Sequence, residues 1–370
     1  MQTNKAGSRS ELAIVIVFAA LLVLPALALA LGGNRDNGEF IAANERRTAA
    51  AMPPQTELMT RTGTYTRALE RVIADWFPLR NGLIQAYDWG KFVVLGDSSS
   101  EQVMRGRWLY LNEPAARAYV TGEFHWTDAD IDYVVNIYRA RAEFCRSRGA
   151  RYVAMFAPDK STIYPENLPA GVTLKHPTML ERLIPRMRAA GIEIVDAAPA
   201  LIAAKHESEL YSFGDTHWNA HGAYVAYREL AAALHVTPIP QTALQDQTVS
   251  GPGDLLLMSG VGHIVMDRKS EYAFRARALR VETPQYAEAG VPAQQPYATV
   301  IDDPSLPTAV MFGDSFGFAL RPFVSENFRR VVHVQYTVQP FNEHIVATEH
   351  PAVVIQELVE RNLANLGLEQ

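Results

Sequence analysis

Cysteine is almost absent from this chain of 370 residues, because Cys145 is the only one. A single thiol cannot form an intrachain disulfide, and its place in an amphipathic helical pattern indicates buried packing rather than a nucleophile. An excess of positive charge is missing too, since 34 Lys and Arg residues stand against 40 Asp and Glu residues and the net charge is −6. We therefore predict no nucleic-acid partner for this chain.

Sequence signals for a metal or a cofactor are weak. The one His-x-x-x-His pair, His217 and His221, encloses Trp-Asn-Ala and lacks the glutamate that a zinc-protease helix carries between its histidines. No internal repeat is evident either. We predict neither a metal site nor a bound cofactor.

Residues 12–31 form one long hydrophobic run without a charged residue. As a helix it would extend about 30 Å, which is the thickness of a bilayer core. Lys5 and Arg9 precede it, as expected for a segment that starts in the cytoplasm. Its length favours an uncleaved anchor, although the small residues at 26–30 also match a cleaved signal peptide. Both alternatives place residues 32–370 outside the cytoplasm.

The rest of the chain divides by composition. Residues 1–11 would form a cytoplasmic stub, and residues 32–60, which are rich in Ala, Asn and Thr, indicate a linker. We assign residues 61–370 to a single domain. Within it, residues 237–308 contain many Pro, Gln and Gly residues and little helical signal, so we interpret them as an irregular insertion that forms part of a substrate cleft or a lid.

Strand and helix patterns alternate through most of the domain. Apolar runs predict strands at 92–95, 108–111, 152–157, 192–195, 309–312, 331–334 and 352–355. Helical periodicity predicts helices at 64–77, 128–148, 178–190, 220–234, 316–329 and 356–366. Continuous apolar strands between helices predict an α/β fold with a parallel sheet covered by helices on both faces. In such sheets, functional residues gather at the carboxyl ends of the strands.

A Gly-Asp-Ser turn ending in Ser315 follows one of these strands and precedes a helix. This context exposes the serine at a strand end, where backbone N–H groups can stabilise an oxyanion. A second copy, Gly96-Asp97-Ser98, leads into a loop and another strand instead. Because Gly, Asp and Ser are also ordinary turn residues, the tripeptide alone is a weak signal. We predict Ser315 as the nucleophile and keep Ser98 as the alternative.

Asp215 and His217 stand two residues apart, just before the helix predicted at 220–234. A serine hydroxyl needs a base to take its proton and a carboxylate to orient that base. The spacing places both side chains on the same side of an extended segment. In the plainer interpretation, Asp215 or Thr216 caps the helix and His217 only packs. We predict His217 as the base and Asp215 as its orienting carboxylate.

The two residues after His217 are candidate substrate-binding residues. Trp218 would either stack on a sugar or fill space in the core, and Asn219 follows it directly. His206, His221 and His263 are alternative bases, but none of them has a carboxylate in so compact an arrangement.

The combination of Asp215-Thr-His217-Trp218-Asn219 with Gly313-Asp314-Ser315-Phe316 resembles the alginate O-acetyltransferase family of SGNH-hydrolase-like proteins. Further matches are Phe77-Pro-Leu-Arg80, Gly106-Arg107-Trp108-Leu109-Tyr110, Pro158-Asp159-Lys160-Ser161-Thr162-Ile163-Tyr164-Pro165, Gly253-Asp254-Leu255 and Val354-Ile355-Gln356-Glu357-Leu358-Val359-Glu360-Arg361. The resemblance extends over most of the domain. An ordinary SGNH hydrolase has Gly-Asp-Ser early and His last, whereas here the histidine precedes the serine, as in the acetyltransferases.

This resemblance implies an SGNH-hydrolase-like, flavodoxin-like domain with a triad of Ser315, His217 and Asp215. It implies O-acetylation of an exopolysaccharide, alginate or similar, by a periplasmic domain held at the bacterial inner membrane. The implied partners are the polysaccharide, a membrane-bound O-acyltransferase that supplies acetyl, and other exopolysaccharide secretion components. A carbohydrate acetylesterase of SGNH type and a non-catalytic polysaccharide-binding assembly component remain as alternatives.

Overall fold

The computed structural model describes residues 5–31, 35–45, 47–56, 58, 62–96, 102–123, 126–286, 295–335 and 341–366. The chain forms two compact units. The first comprises residues 1–99 with 257–264, and the second comprises residues 100–256 with 265–370.

The regular elements described in the first unit are all helices. Its elements are α1 (Lys5–Ala30), α2 (Asn37–Glu45), α3 (Thr62–Asp75), α4 (Arg80–Trp89) and a π-helix at Gly90–Leu95. Asp75 is buried at the end of α3 and accepts hydrogen bonds from Arg47 and from the Ala50 N–H, and the Arg47 hydrogen bond holds its pKa at about 2 despite burial. No helix in the described part of the chain is long and apolar enough to cross a membrane, so the predicted membrane helix at 12–31 is not confirmed.

The strand predicted at 92–95 is wrong. A short apolar run has no periodicity that separates a strand from a helix, and this run directly continues α4 as the π-helix. The helical path ends at Gly96, whose φ of 62° suits a glycine after a helix. Ser98, the alternative nucleophile, lies outside the described residues.

The second unit begins with β1 (Gln102–Arg105), β2 (Trp108–Leu111), α5 (Pro114–Thr121), α6 (Asp128–Ser147), β3 (Arg151–Ala157), α7 (Lys160–Ile163), α8 (Met179–Ala189), β4 (Glu193–Asp196), α9 (Ala198–Ala204) and α10 (Ala220–Leu234). It continues with β5 (Gln245–Gly251), α11 (Asp254–Met258), β6 (Asp267–Ala273), β7 (Leu279–Glu282), β8 (Tyr297–Val300), β9 (Thr308–Gly313), α12 (Gly317–Ser325), β10 (Arg330–Gln335), α13 (Glu343–Glu349), β11 (Val353–Val359) and α14 (Leu363–Leu366).

The central sheet has seven strands in the order β4-β3-β11-β9-β10-β8-β7. The first five are parallel to one another. Strand β8 pairs antiparallel with β10, and the edge strand β7 pairs antiparallel with β8. The predicted parallel sheet is therefore confirmed for its centre, and the sheet as a whole is mostly parallel.

Helices cover both faces of the sheet. Alternate residues of β3 point to opposite sides, so Tyr152, Ala154 and Phe156 pack with α6 and α8, while Val153 and Met155 pack with α10 and α12. Because both faces are buried, the strand is apolar at nearly every position rather than at every second one. This burial is the main favourable contribution to folding, at about 25 cal/mol for each Å² of apolar surface.

The helix predicted at 356–366 is wrong for its first half. Strand β11 continues to Val359, and a 3₁₀ turn at Glu360–Asn362 leads into the short α14. Helical periodicity predicted a helix here, but Gln356 and Glu360 are both buried and hydrogen-bonded, Glu360 to the Tyr119 hydroxyl at 2.7 Å. Tertiary contacts thus override the local pattern.

The region 237–308 is more regular than its composition suggested. Strands β5 and β6 form an antiparallel hairpin in which β5 is almost wholly exposed. Strands β7 and β8 join the edge of the central sheet. Residues 279–282 and 297–300 of the predicted insertion are thus part of the sheet.

Candidate active site

The predicted nucleophile lies on a tightly held turn. Ser315 follows β9 and precedes α12, and the neighbouring Asp314 side chain accepts the Phe316 N–H at 2.9 Å and the Val359 N–H at 2.8 Å. Glu357 accepts the Asp314 N–H at 3.2 Å from below, and burial together with the Asp314 charge raises the pKa of Glu357 well above its ordinary value. The turn is therefore tied to the end of β11, and it leaves Ser315 half-buried at the carboxyl edge of the sheet.

The three residues of the predicted triad form a continuous hydrogen-bonded chain. His217 Nε2 lies 2.8 Å from Ser315 Oγ, and His217 Nδ1 lies 2.8 Å from Asp215 Oδ1. The His217 backbone N–H also donates to Asp215 Oδ1, at 3.0 Å. An ionised carboxylate can only accept, so Nδ1 carries the hydrogen and Nε2 has a lone pair for the serine proton.

Lys269 of β6 forms an ion pair with the second carboxylate oxygen of Asp215. Burial opposes ionisation of Asp215, but the hydrogen bond from His217 and the charges of His217 and Lys269 outweigh it and hold its pKa far below the ordinary value. Asp215 therefore stays ionised. No sequence signal pointed to Lys269, because it lies in a polar hairpin without a motif.

A second aspartate lies beside the triad. Asp254 accepts the Thr216 N–H at 2.7 Å and the Thr216 hydroxyl at 2.5 Å, and its Oδ2 is 3.5 Å from His217 Nδ1. Burial and the nearby charge of Asp215 raise the pKa of Asp254. Asp254 thus fixes the chain between Asp215 and His217, a role that the Gly253-Asp254-Leu255 motif alone did not reveal.

Within the described residues, Asp215, His217 and Asp254 are also the one group of three side chains whose ligand atoms lie close enough to hold a metal, all within 4.8 Å. A metal on Nδ1 would replace the hydrogen bond to Asp215. It would leave Nε2 as a donor that is unable to accept the serine proton. The observed hydrogen bonds instead suit a histidine that accepts the proton of Ser315.

A buried lysine supports the Asp215 segment from below. Lys160 Nζ donates to the carbonyl oxygens of Ser212 and Phe213 at 3.0 Å and of Asp215 at 2.7 Å. Burial lowers the pKa of Lys160 to about 7, although the nearby carboxylates of Asp254 and Asp215 act to raise it. Three carbonyl acceptors match the three N–H bonds of an ammonium group, so this environment suits the charged form.

The two candidate substrate-binding residues make internal contacts. Asn219 Oδ1 accepts the N–H groups of His221 and Gly222, so Asn219 caps α10, which Asp215 and Thr216 do not. Trp218 is 4% exposed, and its indole N–H donates to the Phe316 carbonyl at 3.1 Å. Its ring thus packs beneath the nucleophile turn, although both residues still line the cavity described next.

A cavity of about 340 Å³ opens over the triad and is lined by Asp215, His217, Ser315, Lys269, Trp218 and Phe318, among others. The backbone N–H groups at the start of α12 are already used, because those of Phe316 and Gly317 donate to Asp314. The N–H of Ser315 has no partner in the described part of the chain, and it is therefore the backbone donor open to an oxyanion.

Comparisons with known proteins agree with this architecture. The family model described as SGNH hydrolase-like domain, acetyltransferase AlgX, matches residues 103–339. The probable alginate O-acetylase AlgJ of Pseudomonas syringae pv. tomato is 29% identical over 208 residues, which are 53% of this chain and 49% of that protein. The match thus spans about half the length of this relative.

Two solved structures share the fold. A DHHW family protein from Eubacterium siraeum aligns with a TM-score of 0.51 and 17% identity over 64% of this chain and 86% of its own. Bacillus cereus PatB1 aligns with a TM-score of 0.51 and 12% identity over 71% of this chain and 96% of its own. These two structures show the fold alone. The family match covers more than half of the chain and confirms the resemblance found in the motifs, so the chain belongs to the SGNH hydrolase-like acetyltransferase family of AlgX.

Proposed function

We propose that this protein moves acetyl groups from a donor to hydroxyl groups of an exopolysaccharide, alginate or a similar polymer, through an acetyl-Ser315 intermediate. The observation that carries the proposal is the unbroken hydrogen-bonded chain from Asp215 through His217 to Ser315 at an open cavity. It stands in a chain whose family is one of acetyltransferases.

The first half of the reaction loads the enzyme. His217 Nε2 takes the proton of Ser315 Oγ while Oγ attacks the carbonyl carbon of the acetyl donor. Asp215 stabilises the positive imidazolium, and the Ser315 N–H faces the developing oxyanion. When the tetrahedral intermediate collapses, the bond to the donor's leaving group breaks, and that group receives the proton from Nε2.

The second half transfers the acetyl group. A sugar hydroxyl attacks the carbonyl carbon of acetyl-Ser315 while His217 Nε2 takes its proton. The ester bond to Ser315 then breaks, and Oγ receives that proton. The products are the acetylated sugar and the starting state of the triad.

The proposal includes a location and partners. The uncharged run at 12–31 supports export of the domain to the periplasm and its attachment to the inner membrane. A membrane-bound O-acyltransferase would then supply acetyl, together with other exopolysaccharide secretion components. A reporter fused after Gln370 should be active in the periplasm, and activity in the cytoplasm alone would exclude this location.

An acetyl-transfer assay tests the chemistry and separates transferase from esterase. The full-length chain is incubated with a chromogenic acetyl ester, with and without a deacetylated mannuronic acid oligomer, and both free acetate and acetylated oligomer are measured. A transferase diverts acetyl to the oligomer at the expense of acetate. Acetate alone would indicate an esterase, and no acetyl release would indicate a non-catalytic binding protein.

A further inference from the structure

A second cavity adjoins the one over the triad and shares part of its wall. Its volume is about 330 Å³, and it is bounded by residues of β6 and α12. The two cavities have Trp218, Asn219, Lys269 and Ala319 in common, whereas Ser315 lines only the first. An occupant of the second cavity would therefore lie beside the acetylated serine without touching it.

The wall of this second cavity combines aromatic side chains with hydrogen-bonding groups. Tyr272 and Phe274 are partly buried, and Phe274 stacks on Phe323 at 5.7 Å with an angle of 14° between the rings. Ser270, Glu271 and Lys269 add a hydroxyl, a carboxylate and an ammonium group around these rings.

This mixture matches the chemistry of a pyranose ring. The C–H bonds of a sugar carry partial positive charge and pack on the negative face of an aromatic ring, while its hydroxyl groups require polar partners at the edge. A purely apolar ligand would leave the polar wall unpaired, and a purely ionic one would gain nothing from the rings. The volume lies at the lower end of the range for small-ligand sites, which is about 300 to 1,000 Å³.

We propose that this second cavity is an acceptor subsite, in which Tyr272 and Phe274 bind the sugar unit next to the one that receives the acetyl group. The inference rests on the proposed function, and it deepens that function by making the acceptor an oligomer of at least two sugar units. Binding of the neighbouring unit holds the reacting hydroxyl in place over acetyl-Ser315. A monomer cannot use this subsite.

The test compares acceptor length. With a chromogenic acetyl ester as donor, kcat/KM of the full-length chain is measured for mannuronic acid monomer and tetramer. The same pair of values is obtained for Tyr272→Leu and Phe274→Leu, which keep an apolar side chain but remove the aromatic face. Tyr87→Leu is the matched control, because Tyr87 is 66% exposed and belongs to the other compact unit.

We expect the wild type and Tyr87→Leu to prefer the tetramer over the monomer by about tenfold or more. Each of the two subsite variants should reduce that ratio severalfold. Unchanged ratios in both variants would overturn the proposal, as would a wild type that uses monomer and tetramer equally well. If either variant has a lower melting temperature than the wild type, the assay is run below that temperature. The ratio of tetramer to monomer kcat/KM stays informative, because it compares two acceptors on the same protein.

Failure of the proposed function gives a different result. If no acetyl group is found on Ser315 of the wild type, the acyl-enzyme mechanism is refuted, and the subsite proposal is refuted with it. Chains that pass acetyl from Ser315 to monomer and tetramer equally well would keep the proposed function and refute the acceptor subsite alone.

Discussion

The five parallel strands and the β5–β6 hairpin contribute residues to the same site but differ in their burial. Strands β3, β9 and β11 are buried on both faces and present Ser315 on a turn held by Asp314 and Glu357. Strand β5 is exposed along nearly its whole length, and β6 sends Lys269 to the triad. The nucleophile is thus fixed by the core, whereas the charged group that contacts Asp215 comes from a polar, solvent-facing element.

The largest expected effect comes from the sheet side of this comparison. Ser315→Ala removes the hydroxyl that is hydrogen-bonded to His217, so acetyl transfer should fall by about 10⁶-fold, as for other serine triads. The fold should persist, since one hydroxyl at a half-buried turn contributes little to the free energy of unfolding. Activity on a chromogenic acetyl ester and a thermal melt measure both effects.

Ser98→Ala is the matched control for that variant, because both serines stand in a Gly-Asp-Ser tripeptide. It should keep wild-type activity. Activity lost in Ser98→Ala and kept in Ser315→Ala would reverse the assignment of the nucleophile.

The next largest effect separates the two aspartates beside His217. Asp215→Asn should reduce kcat by about 10⁴-fold, because an amide does not hold the imidazole in the required tautomer or stabilise its positive charge. Asp254→Asn should cost far less, since Asp254 Oδ2 lies at 3.5 Å from Nδ1 and bonds mainly to Thr216. Steady-state kinetics of the two variants decide the matter, and a larger loss in Asp254→Asn would make it the orienting residue.

A smaller effect is expected on the hairpin side. Lys269→Met leaves one oxygen of Asp215 without its ion pair, and activity should fall about tenfold. The lysine charge is among the causes that lower the pKa of Asp215, but the hydrogen bond from His217 is a larger one, so Asp215 should stay ionised in the variant. Arg268→Met removes a neighbouring exposed charge and should leave kcat unchanged. A wild-type kcat in Lys269→Met would show that the ion pair does not tune the triad.

The smallest effect concerns stability and lies next to the nucleophile turn. Burial and the Asp159 charge raise the pKa of Glu360 from its ordinary 4.5 to about 8. Between these values the folded protein binds more protons than the unfolded one, so this group's contribution to stability is lost as the pH rises. Glu360→Gln mimics the protonated form, and its melting temperature should fall less across this window than that of the wild type. If the melting temperatures of the variant and the wild type fall equally across this pH window, other groups cause the pH dependence.

The sequence predicted the parts of the molecule that local patterns encode. Ser315 was identifiable because its strand, turn and helix are contiguous, and Asp215 and His217 because they are two residues apart. Lys269 reaches Asp215 from a distant strand through an exposed hairpin, and no periodicity marks such a contact. The helix predicted at 356–366 was wrong around Glu360, because the burial of Glu360 depends on Tyr119 and Asp159, which are far away in the chain.

Acetylation of Ser315 can be measured as the mass of the full-length chain after brief exposure to an acetyl ester, followed by location of the added group. We expect one acetyl group on Ser315 in the wild type and none in His217→Ala, because the base must take the serine proton before the acetyl group can be accepted. An unmodified Ser315, or acetyl carried on another residue such as Ser98, would contradict the account.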